Sequence, residues 1–586
     1  MDQTIKRIHI VKLSSVNNSF QEIVFRDGLN LILGEKCDEK TTRGRKTNGV
    51  GKTMSIEFID FGLLCDYEKS RIAKIPPKVL KPEECVVLDL IIGEDKVQIR
   101  RFIDKPNKPV IIRNDKKTQF ENLNDARDYI TDLVFSDISE TDIPSYRNLL
   151  SILSRDERSE FSDILKCHDI NLRIPDDYTV HLYLLGLSVG NYKRVTSVIK
   201  QIDSIKIELR DLKKDLTVNG NRKLTDVKAK LNALKAEVDQ LEKAIETFKT
   251  NEAFNLIEGE LVEIEKQLDH LRRRRSIYRR ELSNIKELPQ PEHIDDSEIE
   301  LVYNQYKSEL GTAVVKSLNE VISFKNKVEE FQRVLINQKA SELNESIEAL
   351  SSQIRELDEE HAKKVNLVDK QGVLKDIKTN YRIYDAKRNE STNLQLMFER
   401  YNQLEQQKKK LNVEKSSVLL EIDNNIESLS EMLDSFMDTI SSIHELIMGN
   451  RECSFEIKTK NSTTNKTPME MNMRIFDDGS HSVNRTKVFI YDMALMFNSY
   501  TRKRHPLFLI HDNIFDVDQD TLIQCLNYIA KQEDLYSDFQ YILTLNRDKI
   551  ENEERAKQIN LNISEHVAAS FTKESKFLLC DYQELE

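Results

Sequence analysis

The chain has 586 residues, 39% hydrophobic and 32% charged, with a formal net charge of −12 at pH 7. That length exceeds what one hydrophobic core usually supports, and only 15 Gly and 11 Pro in so charged a chain point to long helices instead of a string of ordinary globular domains. The charge argues against a surface made uniformly for nucleic acid but leaves room for local basic patches. No window holds the roughly 18 apolar residues of a membrane span, and Met1 to Ile10 has no long apolar stretch behind its charges, so a cytoplasmic protein is expected. The seven cysteines include no Cys-x-x-Cys pair, which predicts free thiols in a reducing compartment and no thiolate zinc site.

Residues 1 to 190 read as mixed α/β. Ile8 to Leu13, Glu22 to Phe25 and Leu29 to Leu33 are short apolar or alternating runs. Behind the third comes Asn48-Gly49-Val50-Gly51-Lys52-Thr53, followed by helical spacing from Lys52 to Leu64. A strand, a glycine-bearing turn, a Lys-Thr pair and a helix let backbone N–H groups and a lysine wrap nucleotide phosphates, with the threonine hydroxyl on Mg²⁺. The strict phosphate-loop pattern needs glycine where Lys46 stands, and a polar insertion from Glu35 to Lys46 separates the turn from Gly34. The competing reading is a chance Gly-Lys-Thr at a helix start, and the strand before it favours the nucleotide site. Further strands are expected at Val86 to Ile92, Lys96 to Phe102 and Pro109 to Arg113, with Gly93-Glu94-Asp95 as a hairpin turn. Helical spacing returns from Asn124 to Phe135 and from Tyr146 onward. Ser145-Tyr146-Arg147 and Arg155-Asp156-Glu157-Arg158 are its polar features.

From about Tyr192 the pattern changes. Leu224, Val227, Leu231, Leu234, Val238, Leu241, Ile245 and Phe248 recur at alternating three- and four-residue steps, the apolar seam of a coiled coil. The spacing returns in Leu343, Ile347, Leu350, Ile354 and Leu357, and Pro289 and Pro291 between the two runs should end a helix. The simplest arrangement is an antiparallel hairpin: an outgoing arm over 191–286, an apex over 287–300 and a returning arm over 301–445. Val218-Asn219-Gly220-Asn221 is expected to form an elbow near the base. Such an arm of roughly ninety residues would extend roughly 130 Å. Arg272 to Arg275 face all round a helix, so some must point at solvent, DNA or a partner.

A globular pattern resumes over 446–586. Ser454 to Lys458 and Glu470 to Phe476 read as strands, Val488 to Phe497 as a helix, and Gln540 to Leu545 as another strand. Leu507 to Ile510 is a buried strand ending at His511-Asp512-Asn513. A carboxylate at the C-terminal end of such a strand is where Mg²⁺ or its water shell is held beside a phosphate loop, and Asp512 fits that place. It lies 460 residues after Lys52, and an antiparallel hairpin would bring the two chain ends together.

The whole chain resembles the SMC-type ABC ATPases, whose N- and C-terminal halves, joined by a coiled-coil hairpin, make one α/β nucleotide-binding head. Asn48 to Thr53 look like Walker A, Leu507 to Asp512 like Walker B, and His481 to Arg485 like the ABC signature. The resemblance implies ATP and Mg²⁺ as cofactors, with Thr53 and Asp512 on the metal. It also implies a homodimer of heads that sandwiches two nucleotides, with Ser482 and Asn484 acting across the dimer. More narrowly, the interrupted phosphate loop, Ser145-Tyr146-Arg147 and His511-Asp512-Asn513 resemble the SMC-like subunit of Lamassu-type, three-component bacterial defence systems. That likeness implies double-stranded DNA, a small accessory subunit and an effector, often a nuclease, as partners.

The chain departs from this pattern at telling places. Asn513 stands where a water-orienting glutamate is usual, Asn546 where many relatives carry a histidine, and the signature lacks its glycines. An amide can hold a water but cannot take its proton. Hydrolysis is therefore expected to be slow, or to rely on Asp516, Asp518 or His511. Three functions compete on these grounds: an ATP-gated DNA sensor in a defence complex, a DNA-repair or chromosome-maintenance motor, and a scaffold with a vestigial site. Asn513 and Asn546 weaken the second, and the retained Lys52, Thr53 and Asp512 weaken the third.

Overall fold

A computed structural model describes residues 4–37, 49–138, 142–167, 169, 177–217, 223–249, 258–286, 312–368, 373–461, 467–515, 517–550 and 557–585. Asn48, the insertion beyond Cys37, the Asn219 elbow, both apex prolines and Asp516 lie outside them. Two compact units emerge: one joins the residues up to Ile199 with those from Glu414 on, and the other lies within Lys200–Val413.

In the first unit a parallel sheet runs in the order β13 (Val567–Phe571), β3 (Gly28–Gly34), β12 (Gln540–Asn546), β11 (Phe508–His511) and β8 (Ser154–Arg155). Its inner strands are near-continuous apolar runs because both faces are covered, as parallel sheets require. An antiparallel sheet has the order β2 (Ile23–Val24), β1 (Ile8–Ser15), β4 (Cys85–Ile92), β5 (Asp95–Phe102), β6 (Val110–Arg113) and β7 (Lys116–Gln119). Gln540 ties the two sheets, accepting from the Ile10 N–H and donating to the Ile10 carbonyl, both at 2.8 Å. A third sheet is the hairpin of β9 (Ser454–Thr459) and β10 (Met469–Arg474). One apolar core draws on both chain ends, from Ile8 and Leu31 to Ile542 and Phe577.

The helices of this unit that frame the sheet ends are α1 (Lys52–Gly62), α2 (Leu123–Val134), α3 (Tyr146–Leu153) and α4 (Thr179–Leu184), and, after the second unit, α10 (Ser430–Met448), α11 (His481–Phe497) and α12 (Gln519–Leu535). Ser145 caps α3 by accepting from the Asn148 N–H, and Arg147 reaches Asp60 of α1 at 2.7 Å. The Ser-Tyr-Arg segment thus braces the helix that carries Lys52.

The second unit draws on α5 (Val189–Leu216), α6 (Leu224–Lys249), α7 (Glu258–Lys286), α8 (Thr312–Val368) and α9 (Val373–Ser428). Lys230, Glu237 and Glu242 of α6 meet Glu390, Lys387 and Tyr384 of α9, so these helices run antiparallel. Glu265 and Arg272 of α7 meet Tyr381 and Asp385 of the same helix, a parallel pairing. Glu260, Glu265 and Arg272 also meet Lys364, His361 and Asp358 of α8, an antiparallel one. Around Asp385 four helices lie side by side, α6 and α7 pointing in opposite directions. Where the sequence suggested one outgoing arm over 191–286, the described residues have α6 and α7 running in opposite directions along α9. The arginine cluster is partly spent on this packing, since Arg272 pairs with both Asp358 and Asp385, while Arg273 pairs within its own helix with Asp269.

Candidate nucleotide site

All five strands of the parallel sheet end on the same side, and the predicted motifs gather there, at the end where open α/β sheets bind ligands. Gly49 and Gly51 have φ of +70° and +114°. A Cβ on Gly51 would lie 2.5 Å from Phe577 Cβ, so the turn into α1 admits only glycine. Val50 between them is buried, and its carbonyl accepts from the Phe577 N–H at 3.1 Å. The first turn of α1 has no acidic residue, which leaves its positive end free for an anion.

Lys52 opens that helix. Its Nζ donates to Oδ1 of Asn546, the last residue of β12. Burial lowers its pKa, against the opposing pull of Asp512, Glu157 and Asp548. Asp512 lies directly beyond β11 and is fully buried. Thr544 Oγ1 donates to its Oδ1 at 2.6 Å, while Oδ2 is buried without a hydrogen-bond partner. Burial lifts the Asp512 carboxyl to about 7; the Thr544 and Thr53 hydroxyls pull it down, and Glu157 and Asp156 push it further up.

An orphaned, buried carboxylate oxygen beside a threonine hydroxyl is a fit place for a hard cation that takes its other ligands from phosphates and water. Among the described residues no cluster of three or more His, Cys, Asp or Glu side chains is arranged to hold a metal.

Asn513 turns the chain sharply after the strand, with φ of +61°, a conformation that asparagine tolerates better than most residues. Its N–H donates to Thr544 Oγ1 at 2.9 Å and its Nδ2 to Oε1 of Glu157. Glu157 arrives through β8, which pairs with β11 in the register Ile510 with Ser154 and His511 with Arg155. The sequence showed the Arg-Asp-Glu-Arg run but not its place; a two-residue strand has no periodicity to read.

His511 and Asp518, the other candidate bases, both have partners of their own. His511 points away from Asp512, as successive strand residues do, and is enclosed by Asp492 at 3.0 Å and Tyr541 at 3.0 Å, with its pKa lowered by burial. Asp518 caps α12, accepting from the Thr521 N–H at 3.0 Å.

Ser482 and Asn484 stand on the first turn of α11, and the cap itself is Ser480, which accepts from the Val483 N–H. Among the described residues no hydrogen bond joins Ser482 or Asn484 to Lys52 or Asp512. Their neighbour Arg485 does reach the site, donating to the Asn513 carbonyl at 2.8 Å. Below, Asp492 of the same helix binds Arg155 at 2.7 and 2.9 Å as well as His511, so one buried carboxylate ties α11 to both β8 and β11.

A family described as an uncharacterised protein conserved in bacteria, DUF2326, matches residues 442–579. No curated protein sequence matches the chain. Among solved structures, the chain is similar to an Smc head domain with a coiled coil and joint from Pyrococcus yayanosii, at 14% identity over 94% of each chain, with a TM-score of 0.34. It is also similar to an Smc head domain with an extended coiled coil bound to the C-terminal domain of ScpA from Pyrococcus furiosus, at 12% identity over 92% of this chain and 90% of that one, with a TM-score of 0.30.

Proposed function

We propose that this chain binds Mg²⁺-ATP at the end of its parallel sheet and uses the nucleotide as a slow switch that joins two copies of the head. The observation that carries the reading is the unpartnered Oδ2 of buried Asp512, set beside a lysine that opens a helix behind a glycine turn. Lys52 would give up Asn546 for the β- and γ-phosphate oxygens, and the N–H groups around Gly51 and the start of α1 would hold the remaining charge. Thr53 and Asp512 would hold Mg²⁺, which would supply neutralising charge to the phosphates.

The motif resemblance extends the reading to an SMC-like subunit of a bacterial anti-phage or anti-plasmid complex. Closed heads would bind double-stranded DNA and control an accessory subunit and an effector of the nuclease class. Asn513 and Asn546 support a sensor over a motor, because neither amide can itself take a proton and any base must act from beyond these two positions.

Nucleotide titration of the parent protein and Lys52→Ala tests the core of this. The variant is expected to lose about a hundredfold in ATP affinity, the loss of a charge-assisted contact of about 3 kcal/mol. Equal affinity in the two proteins would overturn the site. Titrating linear duplex DNA with and without ATP tests the extension, with tighter binding in ATP expected and nucleotide-independent binding against it.

A further inference from the structure

Asn513 lacks a carboxylate, but it holds one. Its Nδ2 donates to Oε1 of Glu157, 356 positions earlier in the chain. Glu157 opens a short 3₁₀ turn capped by Asp156, whose side chain accepts from the Arg158 N–H. Ion pairs pin the backbone on either side: Arg155 to Asp492 in the core at 2.7 Å, and Arg158 to Glu57 of α1 at 2.9 Å. Glu157 itself is exposed, and among the described residues no ion pair ends on it.

We infer that Glu157 is the carboxylate that takes the proton of the attacking water in this site, aimed by the amide of Asn513; the assignment rests on the ATP reading above. The water oxygen bonds to the γ-phosphorus as the bond from that phosphorus to the bridging oxygen breaks, and the electron pair of the broken bond leaves on ADP. One water proton passes to Glu157, which then releases it to solvent, and the other stays on the inorganic phosphate. An amide at position 513 suits this arrangement. A glutamate there would press a second carboxylate against Glu157 and force one of the two to stay protonated.

Three variants and two readouts test it: E157Q, N513E and the double variant, in single-turnover hydrolysis and in ATP affinity measured in EDTA. E157Q is expected to keep its Mg²⁺-ATP affinity and to hydrolyse about a hundredfold more slowly. Without Mg²⁺ it should bind ATP several-fold more tightly than the parent, because a negative charge beside the phosphates is gone. A merely structural Glu157 would leave that affinity unmoved. N513E alone should be slower than the parent, whereas N513E with E157Q should recover part of the lost rate by restoring one carboxylate and one amide. Parent-rate hydrolysis by E157Q, or an EDTA affinity unchanged by it, would overturn the assignment. Failure of the parent to bind ATP at all would instead overturn the nucleotide reading, so the two failures are told apart.

Discussion

Asp512 is under conflicting demands, since its carboxyl is fully buried, half satisfied and lifted by burial to about 7. A carboxyl raised in the folded state keeps a proton that the unfolded chain has already lost. Between about pH 4 and pH 7 stability therefore falls as pH rises, and above pH 7 the whole cost is present, up to about 4 kcal/mol for the empty site. Asp512→Asn removes the charge while keeping the shape. Its melting temperature without nucleotide is expected to exceed the parent's clearly at pH 8 and hardly at all at pH 4.5, while the gain from added Mg²⁺-ATP disappears. Equal gains at both pH values in thermal melts would show that the charge is not the cause. Lys52, Thr53 and Asp512 were legible in the sequence because each sits in a local pattern of glycine turn, helix start or strand end. Glu157 was not, because only the register of β8 against β11 brings it to Asn513, and Asn546 gave no sign that it would accept from Lys52.

The same division holds for whole elements. The apolar steps from Leu224 to Phe248 and from Leu343 to Leu357 show that helices pack along a seam, and residues such as Leu231, Leu234, Leu350 and Ile354 are indeed buried. What such steps cannot carry is which helix lies opposite, because a stripe of Leu and Ile serves any partner of matching width. Charge pairs settle that here, and they join residues far apart in sequence, 86 positions for Arg272 with Asp358, 160 for Lys230 with Glu390 and 192 for Arg400 with Glu208. Ile264 and Leu268 of α7 and Ile354 of α8 form a small buried cluster flanked by Leu271 and Leu357. Ile354→Ala should cost about 2–4 kcal/mol by leaving a cavity there. Circular-dichroism melts should show the helical unit unfolding earlier. An unshifted transition would mean that α7 and α8 do not pack in this register.

For the molecule as a whole, the decisive feature is how the parallel sheet draws on the two chain ends. The N-terminal part supplies β3 and β8, which are not neighbours, and the C-terminal part supplies β11, β12 and β13. β3 lies between β12 and β13, so without the C-terminal part its N–H and C=O groups lose both partners in this sheet. Alone, the N-terminal part would also lose the Gln540 side chain from the Ile10 N–H and carbonyl, each costing about 1–3 kcal/mol if it stays buried and unpaired. The C-terminal part keeps the pairing of β11 with β12 but loses half of the shared core. Residues 1–199 and 414–586 made separately are therefore expected to aggregate or to be digested rapidly by protease, whereas the two made together should co-purify as a protease-resistant pair that binds ATP. Binding by the pair would also place the whole nucleotide site within this unit, since Lys52, Glu157, Asp512 and Asn546 all belong to it. A folded, protease-resistant 1–199 fragment would contradict the argument, because it would mean that β3 finds its partners without the other end of the chain.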